Sequence, residues 1–220
     1  MLSKDTFEFF IQLKENNNRD WFQKNKKLYE NARKDFEHFV THLIDEVLKF
    51  DSNIGMMEAK NTIYRIYRDV RFSKDKSPYK TNMGSHIVKG GKKSGNAGYY
   101  FHFEPGGSFV GGGVWQPMPD KLKVVRNEVY QNIEEFLAII EEKSFADYFG
   151  ELQGDKLVNP PKGFPLDFEY IDLLKFKSYT VWKPIPDKIV NSEKLLSEVA
   201  GGFKLMKPLI DFINYGFQES

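Results

Sequence analysis

The spacing of apolar residues changes twice along the chain, and the fold class follows from those changes. Leu28, Ala32, Phe36, Phe39, Val40, Leu43, Ile44 and Val47 recur in three- and four-residue steps, with charged residues between them. That period lays one apolar stripe along a helix of about residues 25 to 49. MGSHIV and GYYFHFEP instead alternate every second residue around the turn-rich KGGKKSGNA, the pattern of a β-hairpin. GSFVGGGVW follows Pro105-Gly106-Gly107 as a third strand of a meander, and KSYTVWKP reads as another strand. From Pro119, well placed to open a helix, the longer period returns through Leu122, Val125, Val129, Phe136 and Ile140.

Smaller signals fill in the ends. Phe7, Phe10, Ile11 and Leu13 predict a helix over 4–15, stopped by Asn16, Asn17 and Asn18. Asn25 is the expected N-cap of the long helix through its side-chain oxygen, with Trp21 and Phe22 packed in the preceding turn. Residues 192–217 read as one or two closing helices, capped by Ser192 and broken at Gly201-Gly202. Helices, then strands, then helices, without repeat or linker, define an α+β class. A single domain over 1–220 is expected. In it the long N-terminal helix and the C-terminal helices pack on a central antiparallel sheet.

Composition narrows the chemistry. The absence of cysteine excludes disulfides, thiolate nucleophiles and Cys-ligated zinc. No apolar run approaches the roughly 18 residues of a membrane span, and MLSKDTFEFF lacks the pattern of a signal peptide. The cytoplasm is the expected location, with no membrane partner. A formal net charge of +1 argues against general adhesion to nucleic acid.

Against that neutral background, RIYRDVRFSKDKSPYK (65–80) carries six cations and only two carboxylates. As a strand, TIYRIYRDVRF would put Arg65, Tyr67, Asp69 and Arg71 on one face; as a helix, it would bury Ile63, Ile66, Tyr67 and Val70. The downstream Ser77-Pro78 favours a turn. Guanidinium forks match pairs of phosphate or carboxylate oxygens, and lysines add adaptable point charge. The expected site is a cradle in which Arg65, Arg68 and Arg71 hold an anion, Lys74, Lys76 and Lys80 close over it, and Asp69 orients an arginine. The competing reading pairs these arginines with glutamates of the long helix, which adds little stability at a surface.

NNNRDWFQKNKKLYENARKDF, RIYRDVRFSKDKSPYKTN, YYFHFEPGGSFVGGGVWQPMP and PKGF together resemble an uncharacterised bacterial family, domain of unknown function 2461. The family's signature, Arg-x-x-Arg-Asp-x-Arg-Phe followed by Asp or Asn, Lys and Tyr, matches Arg65, Arg68, Asp69, Arg71, Phe72, Asp75, Lys76 and Tyr79. The resemblance covers nearly the whole chain and implies one domain of this length. It brings no known activity, so it assigns no catalytic residue.

In the hairpin, Val88 opposite Gly98 would set His86 opposite Tyr100 and Gly84 opposite His102, making the two histidines diagonal neighbours. With Glu104 they could hold a metal or simply form a hydrogen-bonded polar face. No ligand-spacing motif supports the metal, and neither metal nor cofactor is expected. Gly111-Gly112-Gly113 implies a close approach by an aromatic residue such as Trp115, or by a ligand. The candidate binding set is Arg65, Arg68, Asp69, Arg71, Lys74, Lys76, Tyr79, Lys80, His86 and His102, with Lys92 of the hairpin loop expected to lie outside it. An anionic small molecule is the first expected partner, nucleic acid the second. A structural or partner-binding module, with the stretch as an internal ion-pair network, is the third reading.

Overall fold

The computed structural model describes residues 1–218. Helix α1 (Lys4–Glu15) forms where expected, opened by the Ser3 hydroxyl accepting from the Thr6 amide. A short α2 (Arg19–Lys24) follows, capped by Asn18, so Trp21 and Phe22 lie in a helix rather than a turn. The long helix α3 (Lys26–Leu48) buries Ala32, Phe36, Phe39, Val40, Leu43, Ile44 and Val47, the predicted stripe. Asn25 does not cap it through its oxygen. The same residue also closes α2, and its side-chain amide donates to the Trp21 carbonyl at 2.9 Å instead.

Four strands, β1 (Met83–Ile87), β2 (Gly98–Phe103), β3 (Phe109–Val114) and β4 (Tyr179–Pro184), form one antiparallel sheet in the order β1-β2-β3-β4. The register pairs His86 with Tyr100 and Gly84 with His102, as the alternation requires. Tyr99, Phe101 and Phe103 point into the core. There Phe101 meets Phe36 and Phe39 at 6.0 and 5.2 Å, and Phe103 meets Phe7 and Phe10 at 4.9 and 5.6 Å. With a side-chain period of two, Tyr100 and His102 must then face the other way, where they stay half-buried.

The helical second half contains α5 (Pro119–Gln131), α6 (Ile133–Ile140), α7 (Lys143–Phe149), α8 (Ile171–Leu174), α9 (Asp187–Val190) and α10 (Leu195–Gly216); a one-turn α4 (Ala59–Thr62) precedes β1. The fold is α+β. Helix α10 runs unbroken through Gly201-Gly202 and Pro208, and its N-cap is Lys194, not Ser192. Gly202 serves packing: a Cβ there would stand 3.0 Å from the Tyr148 hydroxyl and 3.2 Å from Val110. The glycine run of β3 has a related cause. Gly112 lies beneath the Met206 sulfur of α10, and a Cβ on Gly111 would stand 2.9 Å from Trp182 Cβ. Trp115 itself remains largely exposed.

The open edge of β4 is occupied by Gln153. Its backbone amide donates to Thr180 O at 2.9 Å, while its side chain accepts from Trp182 N and donates to Trp182 O. Among the described residues, no helix is long and apolar enough to cross a membrane.

Residues 63–82 are neither strand nor helix. Bridges Ile63↔Ser85 and Tyr67↔Tyr79, with Arg68 N–H to Pro78 O and Lys80 N–H to Ile66 O, make a loosely paired excursion. Asp69 and Asp75 accept from the backbone amides of Arg71 and Ser77, and such local capture competes with a regular ladder. Buried Ile63, Ile66 and Tyr79 anchor the excursion to the core.

Candidate functional site

The excursion divides the predicted residues into two sets. At its tip, Arg68 donates to Asp75 at 2.5 Å and to Ser77 O at 3.1 Å, and Arg71 forks onto both oxygens of Asp69. The Ser77 hydroxyl and amide, then Arg68, hold the Asp75 carboxyl down to about 2, and Arg71 holds Asp69 below its ordinary range. Lys76 donates to Val70 O, Lys74 is exposed, and Phe72 stands almost fully in solvent. These arginines therefore do pair, with aspartates two and seven residues away rather than with the long helix. The nearer carboxylates win because closing so short a loop costs little entropy.

Tyr79 faces inward. Its ring stacks on Phe22 at 3.9 Å, and the Asn17 side chain both donates to its carbonyl and accepts from its amide. Among the predicted ligand residues it is the one the core has taken.

The second set gathers beside the outer face of the sheet. Lys80 and Lys92 place their ammonium groups 5.4 and 5.2 Å from the Tyr64 ring centroid, each in cation–π range. Burial lowers the Lys80 pKa, and Arg65 lowers it further; Lys92 is lowered by burial, then by Arg33 and Lys80. Lys92 also donates to Ile63 O at 2.5 Å, which fixes the hairpin loop over this corner and brings Lys92 into the cluster it was expected to miss. Among the described residues no carboxylate lies in ion-pair contact with Arg33, Arg65, Lys80 or Lys92.

Next to the cations runs a polar chain on one sheet face. Tyr100 Oη lies 3.1 Å from His102 Nδ1, His102 Nε2 lies 3.4 Å from Glu104 Oε2, and Thr81 donates to Glu104 Oε1 at 2.8 Å. Burial lowers the His102 pKa against the opposing pull of Glu104, so the imidazole is neutral at pH 7. Its contact with Glu104 is then a hydrogen bond from Nε2–H, and Nδ1 accepts from Tyr100. Burial, then Lys92, pushes His86 down to about 4, so it too is neutral. Gly84 makes room for this chain, since its Cα lies beneath the Tyr100 hydroxyl. Among the described residues, no three His, Asp or Glu side chains converge as metal ligands.

Arg33, Tyr64, Lys92, Tyr100 and Glu104 thus join Arg65, Lys80, His86 and His102. Tyr100 and Glu104 were visible in the hairpin alternation. Lys92 and Arg33 carried no local signal, because only the tertiary fold brings them together. A cavity of about 590 Å³ lies elsewhere, lined by Asp51, Tyr99, Glu128, Lys207, Asp211 and Asn214 among others. Within it, Tyr99 donates to Asp51, Lys207 pairs with Asp211, and Asn214 pairs with the Ala97 backbone. It is a corner of satisfied polar groups with an acidic bias, unsuited to an anion.

These features define an α+β protein with a four-stranded antiparallel sheet and a cluster of unneutralised cations at one corner of it. The chain belongs to the family of conserved hypothetical proteins designated DUF2461, whose model matches residues 5–212. No curated protein and no solved structure matches it.

Proposed function

We propose that the protein binds an anionic small molecule, bearing phosphate or carboxylate, at the corner formed by Lys80, Lys92 and Tyr64. The observation that carries this is the meeting of Lys80 and Lys92 on one ring without an acidic partner. Like charges held together at partly buried positions oppose one another, and an anion relieves that repulsion. Arg65 and Arg33 add long-range attraction, the neutral His86 contributes a hydrogen-bonding group rather than charge, and His102, with both ring nitrogens engaged, holds Tyr100 and Glu104 in place. The tip residues Arg68, Asp69, Arg71, Lys74 and Lys76, and Tyr79 anchored in the core, shape the excursion that delivers Arg65 and Lys80.

For the tip itself the intramolecular pairs favour the ion-pair-network reading, so Arg68→Ala is expected to weaken binding only in part. Thermal shift at low salt with inorganic phosphate, pyrophosphate, citrate and ribose 5-phosphate tests the proposal. At least one should stabilise wild type, by about 2.7 kcal/mol at a hundredfold excess over Kd. Lys80→Met with Lys92→Met should abolish that gain, and added salt should diminish it. No stabilisation by any probe, or equal stabilisation of the double variant, overturns the reading.

A further inference from the structure

On helix α3, away from its apolar stripe, two of the chain's four histidines face each other. His38 and His42 stand one turn apart, the spacing that makes side chains neighbours on a helix. Their Nε2 atoms lie 3.2 Å apart, and their rings meet edge to face with centroids at 4.6 Å. Both rings are exposed, and among the described residues neither has a further hydrogen-bond or ion-pair partner. Lys34 and Asp45 flank the pair on the same helix face, about a turn to either side, so their charges offset one another there.

The separation of the two nitrogens is that of ligands on one ion. A cation at the zinc–histidine distance of about 2.0–2.1 Å from each would see them at an angle of about 100–105°. That is close to the tetrahedral angle zinc adopts in proteins. In the hydrogen-bonded pair one Nε2 carries the hydrogen and the other offers its lone pair. Each ring also has an Nδ1 that no protein group engages among the described residues. Moving the shared hydrogen to that atom frees both Nε2 lone pairs for one ion, with no proton gained or lost.

We propose that His38 and His42 form a surface chelate for a divalent late transition-metal ion, zinc or its neighbours nickel and copper. Imidazole suits these ions, whereas magnesium and calcium take oxygen ligands. Two protein ligands leave the rest of the coordination shell to water. The same spacing on a helix holds zinc in metalloproteases, where a glutamate beside the first histidine acts as base. Here that place is taken by Phe39, buried in the core, so the site binds metal without that base. The chelate shares no residue with the anion-binding corner, and neither reading depends on the other.

Titration calorimetry of the whole chain with zinc chloride in a non-coordinating buffer, with magnesium chloride as control, tests this alongside NMR of the histidine rings. Zinc should bind at one ion per chain and magnesium should not. The ring signals of His38 and His42 should shift, while those of His86 and His102 stay in place. His38→Gln or His42→Gln alone should weaken zinc at least about tenfold, because the second imidazole on one rigid helix acts at high effective concentration. Both positions are exposed, so the variants should melt with the wild type when no metal is added. Should one fail to fold, the ring signals of the wild type decide. Unchanged zinc affinity in the double variant, or shifts at His86 and His102 instead, overturns the site. Half an ion per chain, with dimerisation on size exclusion, overturns the single-chain chelate in favour of a joint between two copies.

Discussion

His86 and Tyr79 both fall within the signature region or beside it, yet they do opposite things. His86 is held neutral on the sheet's outer face with its pKa near 4. The unfolded chain takes up that proton near 6.5, so folding is disfavoured progressively as pH falls from 6.5 to 4, by at most about 3 kcal/mol. Above pH 6.5 the effect vanishes. His102 shifts in the same direction. Urea midpoints measured from pH 7 to pH 4 should fall in wild type and fall less in His86→Gln; an identical slope in both would assign the acid sensitivity elsewhere. Tyr79, stacked on Phe22, behaves as core. Tyr79→Ala should cost about 3–5 kcal/mol, as truncation of a buried aromatic does, whereas Tyr79→Phe should cost under about 1 kcal/mol. A large loss from Tyr79→Phe would point to work done by the hydroxyl.

Elements built on strong periodicity were legible; the element built on local hydrogen bonds was not. The stripe of α3 and the alternation of β1 and β2 each state a period, and a one-residue slip in the hairpin would have moved Phe101 and Phe103 out of the core. Residues 63–82 offer no such constraint: two aspartates take up nearby amides and guanidinium groups, and the chain follows them. Arg68→Ala or Asp75→Asn should therefore speed amide exchange and limited proteolysis between residues 69 and 77 while leaving global unfolding nearly unchanged. A loss of overall stability instead would mean the tip supports the core. Gly201-Gly202 misled for a different reason, since glycine marks close packing as often as a break. With nothing near its missing Cβ, Gly201→Ala should stabilise α10 by about 1 kcal/mol. Gly202→Ala, pressed against Tyr148 and Val110, should gain nothing or lose stability. Thermal denaturation of the two variants separates the cases, and equal gains would refute the packing role.

Across the whole molecule the candidate site is a product of long-range assembly. Arg33 comes from α3, Tyr64, Arg65 and Lys80 from the excursion, Lys92 from the hairpin loop and Tyr100 from β2. The basic stretch of the sequence supplies Arg65 and Lys80 to this corner, and its other two arginines are taken up by the tip's own aspartates.

The way Gln153 finishes β4 bears on how the protein behaves in a crowded solution. A sheet edge is a template that any extended chain can copy, and each added strand exposes the next template. Here a single glutamine side chain reads the strand as a partner would, then offers nothing further to read. The molecule carries its own chain terminator. Removing it with Gln153→Ala frees the amide and carbonyl of Trp182 beside an exposed indole, a place where a second copy could begin to polymerise.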